Sequence, residues 1–200
     1  TDSFAMANQG QTSDGSVEVA GEIMGMARAA GKTGQVTIAA AFGCPFEGEV
    51  AEDRVVAMAV ALADAQPPEI CLADTIGAGN PAQVASLFGK VRAAVPQIPL
   101  RAHFHNTRGT GLANAWVAVQ AGATTIDAAL GGLGGCPFAP GAAGNISTED
   151  VVYMFEQSGI GTGLNLETLI KTNHWLGDLM QRRLPGMVAR APLFPSSSQE

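Results

Sequence analysis

The sequence predicts an α/β fold built as part of a (β/α)8 barrel, with four strands and their helices making up roughly half of it. Three observations predict this. Short apolar runs alternate with longer segments of helical periodicity, repeating about every 30 residues, which is the rhythm of βαβ units around a parallel sheet. Polar or reactive side chains sit where the strand-like runs end: Cys44, Asp74, His103 with His105, and Asp127 inside the last run. A barrel assembles its site from the C-terminal ends of several strands. Finally, no GxGxxG or Walker A turn occurs, although a doubly wound sheet more often carries one early in the chain.

The elements follow in order. The opening "TDSFAMAN" reads as the end of a strand, with Asn8 as a weak polar candidate just beyond it. Residues 16–30 carry Val17, Ala20, Ile23, Met24 and Ala27 at helical spacing, with Ser13 and Asp14 as candidate caps. Residues 35–42 read as a strand and 50–65 as a helix. Residues 69–74, after Pro67 and Pro68, read as the next strand. Asn80 before Pro81 is a cap followed by proline at the first helical position, opening a helix over 81–94. Residues 100–105 after Pro99 read as a strand and 111–120 as a helix ending at Gly122. Residues 124–130 complete the strand set. Six glycines and two prolines between Gly131 and Asn145 rule out regular structure there. Helices are expected over 148–157, where acids in "STED" suit the helix dipole, and over 166–179. Residues 1–190 read as one domain and 191–200 as a loosely held tail.

Composition limits the function classes. The chain has 200 residues, 46% hydrophobic and 14% charged, enough for a sizeable core. A net charge of −7 argues against nucleic acid or an anionic membrane as partner. Three cysteines, Cys44, Cys71 and Cys136, are not a disulfide framework and suit a reducing compartment. No secretion signal or membrane-spanning run is visible, so a cytoplasmic or organelle-matrix location is expected.

Each candidate site residue has a competing explanation. His103 and His105 lie at i and i+2, so on a strand both imidazoles share a face and can reach one ion; two histidines satisfied by hydrogen bonds are equally compatible with the pair alone. Asp74, with Thr75 beside it, can act as a base or orient one. Helix capping is its alternative, but Asn80 already fills that role. Cys136 sits mid-way along the glycine-rich loop, where core packing explains it poorly. The Asn145 amide oxygen can ligate a hard cation or cap the next helix. Glu47 reads as an exposed charge, and His174 and Trp175 as packing residues. Lys32, Arg54 and Arg108 are candidates for phosphate contacts, without a motif.

Together "TDSFAMAN", "FGCPFEG", "LADTIGAGNP", "HFHNTRGTGLANA", "GGLGGCPFAPGAAGN" and "STEDVVYMFE" resemble the 3-hydroxy-3-methylglutaryl-CoA lyases, metal-dependent TIM barrels of the lyase and Claisen-synthase group. The resemblance runs to about Ile170, and the Cys-Pro loop followed by Gly-Asn is its specific part. It implies Mg²⁺ or Mn²⁺ held by His103, His105 and Asn145. It also implies catalytic roles for Cys136, Asp74 and His103, with Asn8, Thr75 and Arg108 as weaker substrate contacts. The implied reaction is retro-Claisen cleavage of hydroxymethylglutaryl-CoA or a close analogue to acetyl-CoA and acetoacetate, a step of leucine degradation and ketone-body metabolism. An acyl-CoA is the expected partner, and a homodimer is compatible with the reading. The family's Arg-Asp-Gly motif, which adds a carboxylate ligand, does not occur here. The residues therefore read as strands 5–8 of the barrel. Asn106 stands where relatives carry Asp, and Arg108 where Tyr is common. A non-catalytic half-barrel binding CoA esters or a partner chain, and a related synthase or aldolase, are the competing readings.

Overall fold

The computed structural model describes residues 1–135, 144–192 and 194. Four strands, β1 (Val36–Ile38), β2 (Ile70–Asp74), β3 (Leu100–Phe104) and β4 (Ala123–Asp127), form one parallel sheet in the order β1-β2-β3-β4. Sequential order without a reversal is the arc of a barrel; a doubly wound sheet changes direction at a switch point. The register places Cys71, Arg101 and Thr125 side by side, and Ala73, His103 and Asp127 in the next row. Such rows are the layers that line a barrel interior.

Seven α-helices accompany the strands among the described residues: α1 (Asp2–Gln9), α2 (Ser13–Ala29), α3 (Glu52–Ala63), α4 (Pro81–Ala94), α5 (Gly111–Gln120), α6 (Thr148–Gln157) and α7 (Leu166–Leu179). The bounds of α4 to α7 are those expected from the sequence. Asn80 caps α4 by accepting the Gln83 N–H at 3.1 Å. Helix α2 starts earlier than expected because Thr12, not Ser13 or Asp14, caps it, its hydroxyl accepting the Gly15 N–H at 3.1 Å.

Three expectations need correcting. "TDSFAMAN" is helix α1, not a strand end: Thr1 caps it, Asp2 suits its first turn, and Gly10 closes it in the left-handed conformation at φ 71°. Asn8 is therefore exposed on a helix, beside β1 rather than at a strand end. The strand expected over 35–42 keeps only Val36–Ile38. Beyond it the chain turns at Ala40 (φ 55°), held there because the Ala40 N–H donates to Thr75 Oγ1 at 2.7 Å and the Ala41 N–H to the Ala73 carbonyl. The run 124–130 is strand only to Asp127, after which Leu130–Gly132 form a 3₁₀ turn.

The core lies between the sheet and α3 to α6. Ile70, Leu72, Leu100, Ala102 and Phe104 meet Val55, Leu87, Phe88, Ala115 and Phe155 there. Phe42, Phe88 and Phe104 form a ring cluster with centroids 5.6–6.5 Å apart. Each fully buried ring contributes about 1.5–3 kcal/mol over exposure. This packing holds β3 rigid, and β3 carries the histidines. The expected tail falls largely outside the described residues.

Candidate metal and lyase site

Period-two alternation divides β3. Leu100, Ala102 and Phe104 point to the helices, so Arg101, His103 and His105 share the opposite face. The two imidazole centroids are 5.2 Å apart. His105 is 5% exposed. Burial, and then the neighbouring His103, hold it below the usual imidazole range, which favours the neutral, ligating form.

Asn145 reaches the same place from 40 positions further along. Asn106 N donates to Gly144 O at 3.1 Å and Ile146 N to Phe104 O at 3.2 Å, making His105 and Asn145 an antiparallel bridge. In that pattern the central pair is the non-hydrogen-bonded kind, whose side chains stand closest, about 4.5 Å between Cα atoms. The Asn145 amide donates to Leu133 O at 2.9 Å, which fixes its orientation. Its Oδ1 and His105 Nδ1 are both buried without a hydrogen-bond partner. Orphaned buried acceptors are rare and call for a partner. Two imidazoles and an amide oxygen are a donor set that fits a divalent cation taking nitrogen and oxygen ligands together. The competing role of Asn145 as a helix cap is removed, since Ser147 occupies the cap of α6. Among the described residues no three His, Cys, Asp or Glu come together as a metal cluster.

The ends of the glycine-rich loop meet here. A Cβ on Gly144 would stand 2.3 Å from Gly132 O and 2.5 Å from Gly134 O, so only glycine lets the two ends close. Ala129 N–H donates to Ile146 O, and Thr148 N–H to Ala129 O. Cys136 lies outside the described residues.

The other candidates shape the rim. Asp74 is fully buried, and its two oxygens accept the Ala78 N–H at 2.8 Å and the Gly79 N–H at 3.0 Å. The sequence left it without a structural job; it has one, pinning the loop after β2. Burial pushes its carboxyl above the usual range, against the pull of those amides. Thr75 secures the turn after β1. Arg108 donates to Ile76 O and Gly77 O at 3.0 Å, bracing the same loop. Asn106 Oδ1 accepts the Gly111 N–H at 3.1 Å at the start of α5. Arg54 is engaged by Asp14 and Ser13, each at 2.6 Å, and Lys32 is exposed. Glu47 is exposed as expected and accepts the Ser3 N–H. His174 donates from Nε2 to Ala189 O at 2.7 Å, and Trp175 is largely exposed.

Sequence reasoning missed three features. Arg101 binds Glu69 on one side and Asp127 Oδ1 on the other, at 2.5 Å to Asp127, and Asp127 Oδ2 is 3.3 Å from His103 Nδ1. Glu149 and Asp150, expected to serve the α6 dipole, are buried instead. Glu149 accepts the Gly131 N–H at 3.0 Å and an Asn173 N–H at 2.5 Å, while Asp150 takes the Met187 and Val188 N–H groups at 2.7–3.0 Å. Beside Asn173 a cleft of about 1010 Å³ is lined by Arg182, Arg183 and Arg190.

An α/β barrel arc with histidines and an amide converging at its strand ends defines a class of barrel proteins with a metal-type site, and comparison narrows it. The HMGL-like family model matches residues 1–176, and the chain belongs to that family. It is 48% identical over 166 residues to the (R)-citramalyl-CoA lyase of Chloroflexus aurantiacus, covering 82% of this chain and 52% of that protein. It is 40% identical over 178 residues to a hydroxymethylglutaryl-CoA lyase of Bacillus subtilis, covering 89% and 60%. A solved HMG-CoA lyase of Acinetobacter baumannii, in complex with coenzyme A and 3-methylmalate, superposes with a TM-score of 0.89 at 39% identity, covering 100% of this chain and 64% of that one. The chain thus spans about half to two thirds the length of these relatives. No helix among the described residues is long and apolar enough to cross a membrane.

Proposed function

We propose that this chain carries the metal-binding half of a carbon–carbon lyase acting on a 3-hydroxy-3-methyl acyl-CoA. The observation that carries the reading is the convergence of His103, His105 and Asn145, with His105 Nδ1 and Asn145 Oδ1 buried and unpartnered. These three would hold the Mg²⁺ or Mn²⁺, joined in the whole protein by the acidic ligand that the family resemblance adds. When bound, the cation supplies Lewis acidity toward the substrate's hydroxyl and the oxygen beside it.

The chain's own residues do the rest. The reaction turns R–C(OH)(CH₃)–CH₂–CO–SCoA into R–CO–CH₃ and acetyl-CoA. The hydroxyl loses its proton, the C2–C3 bond breaks, and C2 is protonated. Cys136, in the loop whose neck closes over Asn145, is assigned to catalysis. Asp74, Thr75 and Arg108 hold the neighbouring loop in place rather than offering free groups, so we assign them positioning roles. Arg182 and Arg183, whose guanidiniums have no hydrogen-bond or ion-pair partner among the described residues, suit the phosphates of the coenzyme A portion better than Lys32 or Arg54 does. The bacterial relatives and the reducing character of the cysteine set support a cytoplasmic setting.

The relatives suggest two substrates that differ by one methylene: hydroxymethylglutaryl-CoA, giving acetoacetate, and citramalyl-CoA, giving pyruvate. The full-length protein carrying this chain is expected to release acetyl-CoA from one of them with Mg²⁺ or Mn²⁺ and not with chelator. No release from either ester would sink the proposal.

A further inference from the structure

Among the described residues Asp127 is the one carboxylate in contact with the histidine pair, and it is held from behind. Its Oδ1 accepts from Arg101 Nη1 at 2.5 Å and its Oδ2 faces His103 Nδ1 at 3.3 Å. Arg101 is in turn bound by Glu69 through Nε at 2.8 Å and through Nη2, and Thr125 Oγ1 donates to the other Glu69 oxygen at 3.2 Å. The chain Thr125, Glu69, Arg101, Asp127, His103 links two neighbouring register rows of β3 and β4 to Glu69, the residue just before β2. With one oxygen committed to Arg101, the carboxylate cannot turn away from the imidazole. An ionised carboxylate only accepts, so the hydrogen bond requires the proton on His103 Nδ1.

We propose that Asp127 is the positioning residue of the metal centre: it fixes His103 as the Nδ1–H tautomer and leaves Nε2 as the one lone pair able to ligate. This rests on the metal reading of His103, His105 and Asn145. Outer carboxylates commonly set the orientation and tautomer of ligating histidines in this way. Glu69, Arg101 and Asp127 together carry one net negative charge, which complements a cation on the far side of the ring. The alternative is that Asp127 only closes an ion pair with Arg101 and is indifferent to His103.

Asp127→Asn separates the two. Arg101 offers only donors, so it claims the amide oxygen, and the Asn N–H₂ then faces His103 Nδ1. That nitrogen must accept, the proton moves to Nε2, and the ligating lone pair is lost. The test records ¹⁵N signals of the imidazoles in the metal-free full-length protein, at a pH well above the ordinary imidazole value, together with Mn²⁺ titration by electron paramagnetic resonance. Expected results are Nδ1–H at His103 in the wild type, Nε2–H in Asp127→Asn, and Mn²⁺ affinity lowered about 10- to 100-fold in a variant with unchanged circular dichroism. Nε2–H in the wild type, or Nδ1–H retained in Asp127→Asn, would overturn the proposal. If the variant does not fold, the wild-type tautomer alone decides. Failure of the metal reading has a separate signature: His103→Ala and His105→Ala would leave Mn²⁺ affinity unchanged.

Discussion

Along β3, Leu100, Ala102 and Phe104 face the helices and are at most 2% exposed, whereas Arg101, His103 and the adjoining His105 face the barrel interior. The first set is apolar and packed against other apolar side chains. The second carries an ion-paired arginine, a histidine leaning on a carboxylate, and a buried histidine with an unpartnered nitrogen. Six consecutive residues thus divide two tasks by alternation alone. One face holds the strand in place, and the other leaves polar atoms unsatisfied where a ligand can satisfy them. Stability and chemistry can therefore be perturbed separately, though the residues are neighbours in sequence.

The largest expected effect breaks the packed face. Phe104→Ala should cost about 3–5 kcal/mol of folding stability, read from denaturant melts without metal; a loss below about 1 kcal/mol would mean the helix-facing side is not what holds β3. Next, His105→Leu should lower Mn²⁺ affinity at least about 100-fold, some 2.8 kcal/mol, without lowering the metal-free melting temperature. Its buried nitrogen is unpartnered, so an apolar replacement removes a penalty rather than a bond. A drop in melting temperature with unchanged affinity would reverse the assignment of the two faces. Asn80→Ala is a milder control: it should cost about 1 kcal/mol through loss of the α4 cap and leave Mn²⁺ binding alone.

The smallest effect is a pH slope. Burial raises the Asp74 carboxyl above its ordinary value in the folded state. Its contribution to stability is therefore complete below the ordinary carboxylate value and is lost as pH rises through the raised folded one. Asp74→Asn should flatten the melting-temperature profile across that window. Asp150, raised chiefly by its own burial, contributes a slope of the same sign. An unchanged slope in the variant would show that Asp74 is not the group responsible.

Much of this architecture was legible from local pattern. The bounds of α4 to α7 and the shared face of His103 and His105 follow from periodicity and capping, which act within a few residues. The failures have the opposite cause. Helix α1 was missed because eight residues give periodicity little room, and its caps, Thr1 and Gly10, lie outside the apolar run. Ala40 ends β1 because Thr75, 35 residues on, captures its N–H. The Glu69, Arg101 and Asp127 chain joins residues 26 and 32 positions apart, and only the sheet register brings them into line. Asp127 stood out as a polar residue inside a strand, but its partner could not be named without that register. Asn145 is a ligand candidate by its amide oxygen alone, but only the family resemblance joins it to the two histidines; the bridge to His105 supplies the physical basis for that link.

One side chain serves two structures. The Asn145 amide fastens the neck of the glycine-rich loop through its nitrogen and leaves its oxygen buried and unpartnered at the bridge to His105. Because one rigid plane carries both atoms, the proposed cation site makes neck geometry and cation affinity linked quantities. Linkage of this kind is reciprocal. Whatever factor a bound cation contributes to keeping the neck closed, closure of the neck must return as the same factor in cation affinity. Gly134→Ala, whose added Cβ would press on the Asn145 amide nitrogen, would thus be read out as a change in the Mn²⁺ dissociation constant.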